Sequence, residues 1–180
     1  MDRRQKKTRS AIYNAFTDLL KEESYSKITV QQIIDRADIG RTTFYSHFET
    51  KDDLLRSLCN DIFDHVFSDS PGKEKTHDFS CVKGTAARIT HILYHLQEHM
   101  DYLPGILSGE GGDIFMSYFK EKLTELFAPI KSKVSSDIPG DYILNHMVSD
   151  FSETVRWWSR NTDYSPEEIS SFFLKTTPLP

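Results

Sequence analysis

The chain has 180 residues, 38% hydrophobic and 12% aromatic, a composition that suits a folded core and excludes wholesale disorder. It has no apolar run of about 18 residues and no signal-peptide block, so we expect a cytoplasmic protein without a membrane span. The net charge of −5 is unevenly distributed: residues 1–51 hold ten Lys/Arg against seven Asp/Glu, and residues 52–180 hold twelve against twenty. A basic head on an acidic body indicates a polyanion partner, although a solvated basic N-terminus would have the same charge.

The first 40 residues have the pattern of two helices and a turn. Apolar residues recur at helical spacing from Ile12 to Leu20, which predicts an amphipathic helix over about 3–23. Thr29 and Gln32 have the spacing of a capping box and predict the start of a second helix. That helix should end after little more than two turns, at Asp38-Ile39-Gly40.

Two further helices are predicted before residue 68. Gly40 can serve as the N-cap of a short third helix over about 41–47. Thr50 and Asp53 form another capping-box-like start, and a fourth helix with an apolar inner face follows it. The second and third helices, joined by a short turn, make a helix-turn-helix candidate.

The middle of the chain predicts a domain boundary. Residues 68–83 lack a hydrophobic period and contain Pro71-Gly72, which indicates a mobile linker. We therefore expect a helix-turn-helix domain over 1–67, a linker over 68–83 and a second helical domain over 84–180. Cys59 and Cys81 have no metal-binding spacing and are expected to be free thiols.

The second half of the chain is also helical in pattern, so the predicted fold class is all-α. Leu103-Pro104-Gly105 is expected to interrupt the helices, and Pro129 to bend one of them. Ser165-Pro166-Glu167-Glu168 is the strongest helix start in the chain. The predicted helices cover about 84–99, 112–134, 141–160 and 166–175.

The third helix has two contrasting faces. Phe44 and Phe48 mark its buried side, and Thr42 and Ser46 lie almost opposite them on a helical wheel. Short hydroxyl side chains can approach base edges, and a threonine methyl can contact thymine. Thr43, Tyr45, His47 and Lys51 carry groups that can reach DNA phosphates. The alternative is a helix pair whose polar face is simply solvated.

This segment resembles the N-terminal domain of tetracycline-repressor-like (TetR/AcrR) regulators. The positions that match the family pattern are Ala37, Arg41, Thr42-Thr43, Phe44, Tyr45, His47, Phe48 and Lys51. The sequence departs from the pattern at Asp38, where glycine is usual, and at Gly40, where serine is usual. The resemblance implies DNA binding through Thr29, Arg41, Thr42, Thr43, Tyr45, Ser46, His47 and Lys51.

The C-terminal region resembles a subset of the same family more weakly, in the stretch from Arg156-Trp157-Trp158 to Ile169. In that family the last two helices form a dimer as a four-helix bundle. The resemblance therefore implies a homodimer, and these helices are too apolar for a solvated surface. The expected interface residues are Phe151, Val155, Trp158, Ile169, Phe172 and Phe173, although some of them must fill the core of the monomer.

The remaining apolar residues leave two functions open. In the family the C-terminal domain binds a small hydrophobic effector, for which Tyr94, Tyr102, Phe115, Met116 and Phe119 are candidate lining residues; the alternative is an ordinary core. Two histidines are also candidate metal ligands. His91 and His95 have the spacing of a chelating pair on one helix, but no third ligand is evident, so no metal or cofactor is expected. No catalytic motif is present. The sequence predicts a dimeric repressor of double-stranded DNA that is released by an apolar effector, or a regulator whose C-terminal domain binds a protein partner.

Overall fold

The computed structural model describes residues 3–67, 84–131 and 138–177. These ranges contain no strand, which confirms the predicted all-α class, and no helix within them is long and apolar enough to cross a membrane. The predicted linker 68–83, with Cys81, lies outside the described residues. A 3-10 turn, Tyr25–Lys27, joins the first two helices. The α-helices are α1 (Arg3–Glu22), α2 (Val30–Ala37), α3 (Arg41–Tyr45), α4 (Lys51–Val66), α5 (Thr85–Gln97), α6 (Leu103–Leu107), α7 (Glu110–Lys131), α8 (Gly140–Trp158) and α9 (Pro166–Thr176).

Local hydrogen bonds fix the helix starts that the sequence predicts. The Thr50 hydroxyl accepts a bond of 3.0 Å from the amide of Asp53, and the Asp53 carboxylate accepts one of 3.1 Å from the amide of Thr50. Such reciprocal bonds satisfy amides that would otherwise lack a partner at the helix start. The same arrangement occurs in the pairs Thr29 with Gln32 and Ser165 with Glu168.

The prediction that Leu103-Pro104-Gly105 interrupts the helices is wrong, because these residues begin α6. Pro104 lies in the first turn, where the amide that proline lacks would have no helical partner. Gly105 lets α6 cross α1 closely: a Cβ atom at this position would lie 2.1 Å from the carbonyl oxygen of Leu20. Pro129 lies inside α7, and the bend predicted there stays a prediction.

One compact unit, called here the head, contains the described residues up to Asp61 together with Asp101–Phe115. In the head, α1 packs against both α2 and α6. The apolar face of α1 is buried, with Ile12 and Phe16 both fully inaccessible to solvent. The head therefore contains α6 and the start of α7, which the sequence pattern places in the second predicted domain, 84–180. The domain boundaries at 67 and 84 stay a prediction.

The second compact unit, called here the body, contains the described residues from Ile62 to Met100 and from Met116 onward. In the body, α9 packs against α5 and α8. The Thr90 hydroxyl donates to the Ser170 hydroxyl over 2.9 Å, which ties α5 to α9. The end of α4 belongs to the body, where the ring of Phe63 stacks on that of Phe119 with centroids 5.4 Å apart.

Candidate nucleic-acid interface

The turn between α2 and α3 is built from backbone geometry. Asp38 closes α2 in the left-handed conformation, with φ 50° and ψ 53°. The amide of Ile39 donates back to the carbonyl of Ile34 over 3.3 Å, a bond typical of a helix end. Gly40 follows as the N-cap of α3, and its carbonyl accepts from the amide of Thr43 over 2.9 Å. The result is the predicted helix-turn-helix.

Two aromatic side chains hold α3 in the head. Phe44 is fully buried, and Phe48 lies three residues beyond the helix with its ring centroid 6.0 Å from that of Phe44. Phe48 also contacts α1 through Tyr13, with ring centroids 5.9 Å apart. These contacts anchor the inner side of α3, so its other side is presented away from the core.

The outer side of α3 carries most of the predicted DNA contacts. Arg41, Thr42, Tyr45 and Ser46 are exposed, whereas Thr43 and His47 are half-buried. The guanidinium carbon of Arg41 lies 5.9 Å from the centre of the Tyr45 ring, a cation–π distance. The Ser46 hydroxyl donates to the carbonyl of Thr43 over 2.7 Å, so its oxygen keeps lone pairs for a donor on a base. Six of the eight predicted contact residues thus share one exposed segment.

Thr29 lies elsewhere, at the start of α2, and its side chain already has a local role. The hydroxyl accepts from the amide of Gln32 and lies 2.8 Å from the Gln32 side-chain oxygen. This arrangement caps α2. Thr29 is therefore the capping residue of the first helix of the helix-turn-helix, and its contact with DNA stays a prediction.

The Lys51 side chain, which is predicted to bind a DNA phosphate, is bonded to backbone carbonyls of the head. Its ammonium nitrogen donates to the carbonyl oxygens of Tyr25 and Ile28, each over 2.8 Å. Burial lowers the pKa of Lys51, and the negative charges of Asp52 and Glu110 oppose that shift. Two of its three donors therefore join the start of α4 to the segment that precedes α2. A role for Lys51 at DNA stays a prediction.

Tyr25 is a structural residue that the sequence pattern did not reveal. Its side chain is buried, its hydroxyl donates to the carboxylate of Asp52, and its burial raises its pKa well above the usual value. A Cβ atom on Gly111 would lie 2.8 Å from the Tyr25 side chain. Tyr25 therefore joins the 3-10 turn, α4 and the start of α7, and these partners are too distant in sequence for a local signal.

Arg9 is another structural residue that the sequence pattern did not reveal. Its guanidinium donates to the hydroxyls of Tyr13 and Ser57 over 2.7 and 2.6 Å, and it lies 3.5 Å from the carboxylate of Asp61. The same group lies 5.7 Å from the centre of the Phe48 ring. Arg9 thus ties α1 to α4 and to the segment that follows α3. In the sequence it is one basic residue among several.

The five predicted effector-lining residues do not belong to one compact unit. Tyr102 and Phe115 are buried in the head, whereas Met116 and Phe119 are buried in the body. Tyr94, also in the body, lies on α5 with its hydroxyl bonded to the carboxylate of Glu167. Their role in effector binding stays a prediction.

Most of the predicted interface residues are buried within the body of a single chain. They are Phe151, Val155, Trp158, Ile169 and Phe173, each no more than 1% exposed. Phe172 is 41% exposed, and the exposed rings of Trp157 and Tyr164 adjoin it. Ring centroids are 5.5 Å apart between Trp157 and Tyr164, and 5.4 Å apart between Tyr164 and Phe172. We call these three residues the aromatic patch.

A groove adjoins the aromatic patch on α8 and α9. Its volume is about 500 Å³, and Trp157 and Phe172 line it together with the acidic residues Asp150 and Glu153. Helical spacing places Trp158 on the same side of α8 as buried Phe151 and Val155, whereas the exposed Trp157 lies on another side. The outward-facing apolar surface of α8 and α9 therefore differs from the predicted one at every position except Phe172.

The buried histidine pair on α5 brings two ring nitrogens together. The Nε2 atoms of His91 and His95 lie 3.1 Å apart, and both side chains are buried in the body. Within residues 3–67, 84–131 and 138–177, no group of three or more His, Cys, Asp or Glu side chains is arranged to hold a metal ion.

Comparison with known proteins relates both regions of the chain to bacterial regulators. The HTH-type transcriptional regulator YxbF of Bacillus subtilis (strain 168) is 39% identical over 71 residues, 37% of this chain. DhaS of Lactococcus lactis subsp. lactis (strain IL1403), an activator of the dhaKLM operon, is 33% identical over 63 residues, 35% of this chain. These matches span only 19% and 34% of the respective relatives.

A solved structure matches over nearly the whole chain. The TetR transcriptional regulator from Streptococcus agalactiae 2603V is 34% identical, with a TM-score of 0.77, and the match covers 98% of this chain and 96% of that one. Residues 12–58 match the model of bacterial regulatory proteins of the tetR family, and residues 86–178 match that of a transcriptional regulator C-terminal region. With the helix-turn-helix described above, these matches show that the chain belongs to the tetR family of DNA-binding bacterial transcriptional regulators.

Proposed function

We propose that this protein is a cytoplasmic repressor that binds a pseudo-palindromic operator as a homodimer. The observation that supports the proposal is the exposed side of α3 and its C-cap, where Thr42 and Ser46 lie with Arg41 and Tyr45 on the side away from buried Phe44. In a helix-turn-helix protein the second helix enters the major groove, and a two-fold dimer places two such helices one DNA turn apart.

The residues of this segment have two proposed roles. Thr42 and Ser46 carry short side chains on the outermost side and contact base edges, which gives sequence specificity. Thr43, Tyr45 and His47 lie beside them and bind phosphates, which positions the helix. Arg41, at the first position of α3, is exposed and contacts either a guanine edge or a phosphate.

Substitution of the proposed base-contacting residues tests this assignment. Thr42→Ala and Ser46→Ala should change the preferred operator in a selection from random DNA, by about 1–3 kcal/mol at the affected base pair. Thr124→Ala is a matched control, because Thr124 is exposed on α7 and its hydroxyl also bonds to its own helix backbone. An unchanged base preference in both α3 variants would contradict direct readout by these residues.

The homodimer is proposed to form through the outer side of α8 and α9. The aromatic patch and the adjoining groove leave apolar surface exposed there, and burial of such surface drives association. A charge within that interface would be costly. Phe172→Asp should therefore give monomers in sedimentation experiments, whereas Ser117→Asp, at an exposed position of α7, should not. A dimeric Phe172→Asp variant would place the interface elsewhere.

Release from the operator is proposed to follow binding of a small apolar effector to the C-terminal region. The alternative is that this region binds a protein partner and that the regulator activates transcription. The similarity to the activator DhaS supports this alternative. A transcription assay with the purified protein and its selected operator distinguishes the outputs, because a repressor lowers and an activator raises the yield of transcript.

A further inference from the structure

The cations of the head fall into two groups. Residues 3–51 carry ten Lys/Arg, and four of them bind groups of the head itself: Arg9, Lys21, Arg36 and Lys51. The other six are exposed and, among the described residues, have no carboxylate within 4.0 Å: Arg3, Arg4, Lys6, Lys7, Lys27 and Arg41. The positive charge that remains available to an anionic partner is therefore concentrated at the start of α1, where four of the six lie.

This concentration is unfavourable for α1 by itself. The first turn of α1 has no acidic residue, although the positive end of the helix dipole favours anions there. Arg3 lies four residues from Lys7 and three from Lys6, and Arg4 lies three from Lys7, spacings at which like charges repel. A cluster of like charges that destabilises its own helix is expected where those charges serve a function.

The first turn of α1, which carries Arg3, Arg4, Lys6 and Lys7, belongs to the same compact unit as α3. Arg9 lies over Phe48, whose ring contacts that of Phe44 on α3. Arg3 is six residues before Arg9, about 9 Å along the helix axis at 1.5 Å per residue. Arg3 and Lys7 also lie on the side of α1 opposite the buried residues Ile12 and Phe16.

We propose that Arg3, Arg4, Lys6 and Lys7 form a second DNA contact, which binds backbone phosphates beyond those reached from α3. Lysine and arginine side chains without partners are suited to phosphates, which position a protein without reading sequence. Phosphate binding also reduces the repulsion among the four cations and places an anion beside the first turn of α1, which contains no acidic residue. The inference rests on the proposed reading of DNA by α3.

The salt dependence of binding tests the second contact. The probes are a duplex selected with the wild-type protein from a random pool and a random-sequence duplex of the same length. Lys6→Gln with Lys7→Gln is compared with Lys120→Gln with Lys122→Gln on α7, because both pairs make the net charge more negative by two. For each protein, affinity is measured between about 50 and 200 mM salt, where each lost phosphate contact makes the negative slope of log K against log salt shallower by about 0.9.

We expect the Lys6/Lys7 variant to bind both duplexes more weakly and with a flatter slope, while its base preference and its dimerisation are unchanged. Its melting temperature without DNA should equal or exceed that of the wild type, because like-charge repulsion is removed. A wild-type slope on both duplexes would overturn the second contact. If the wild type itself selected no duplex, the proposed function would fail as well, and that result would be evident before any variant was compared.

Discussion

The ammonium nitrogen of Lys51 lies 4.1 Å from the centre of the Tyr25 ring, and it also donates to the Tyr25 backbone carbonyl. The start of α4 is thus held against the 3-10 turn by a cation–π contact and by hydrogen bonds to two carbonyls. Lys51, which the family resemblance assigns to DNA binding, therefore has a structural function in the head.

Replacement of Lys51 should destabilise the head. In Lys51→Ala two carbonyls lose their donor, so we expect the free energy of unfolding to fall by about 1–3 kcal/mol in denaturant titrations. Lys27→Ala serves as the control, because Lys27 is an exposed cation in the adjoining turn, and its effect should stay within about 0.5 kcal/mol. Unchanged stability of Lys51→Ala, combined with a flatter salt dependence of DNA binding, would instead favour a role at phosphates alone.

Asp38 is expected to cost stability through its backbone conformation. It is the non-glycine residue with positive φ within the described ranges, and the left-handed conformation suits glycine better. Asp38→Gly should therefore raise the free energy of unfolding by up to about 1 kcal/mol. Asp38→Asn keeps a residue that tolerates this conformation, so it separates the charge from the backbone effect. Equal destabilisation by glycine and alanine at this position would contradict the argument.

Phe63 should be important for the stability of the body. Its ring is buried, stacks on Phe119 and contacts Phe67 with centroids 6.0 Å apart. Phe63→Ala should lower the free energy of unfolding by about 3–5 kcal/mol, whereas Tyr45→Ala, at an exposed site outside the proposed dimer interface, should cost much less. Hydrogen exchange should show protected amides from Ile62 to Val66 in the wild type and faster exchange there in Phe63→Ala. Fast exchange of these amides in the wild type would contradict the packing.

Cys59 should be unreactive in the folded protein. Burial raises its pKa from 9.0 to about 12, so the thiolate fraction at neutral pH falls by about a thousandfold relative to an unperturbed thiol. In a Cys81→Ser variant, labelling of Cys59 by a thiol reagent at pH 8 should occur only as fast as the head opens, and denaturant should accelerate it. Rapid labelling under native conditions would mean that the thiol is accessible.

The elements that the sequence predicted well are those with local causes. Thr29 with Gln32 and Ser165 with Glu168 identify helix starts because each capping box is formed within four residues. Phe44 and Phe48 identify the buried side of α3 because helical periodicity places them together. The helix-turn-helix and its exposed residues follow from such local signals.

The remainder depends on contacts between distant residues. Lys51 meets Tyr25 and Ile28 more than 20 residues away, so its donors could not be assigned from the sequence. At α6, a local reading of Pro104 and Gly105 as an interruption overlooked the need for glycine where this helix crosses Leu20. In α8, helical spacing groups Trp158 with Phe151 and Val155, but it cannot tell whether this apolar face is covered within one chain or by a second copy.

The close crossing at Gly105 makes the head poorly suited to transplantation as a module. A fragment cut after residue 67 would lack Asp101–Phe115 and would leave uncovered the part of α1 around Leu20 that α6 shields. Chimeric regulators built by exchanging N-terminal halves would inherit a foreign α6 against this α1. Any such chimera needs glycine at the crossing point, or the recipient's own α1, for the two helices to fit.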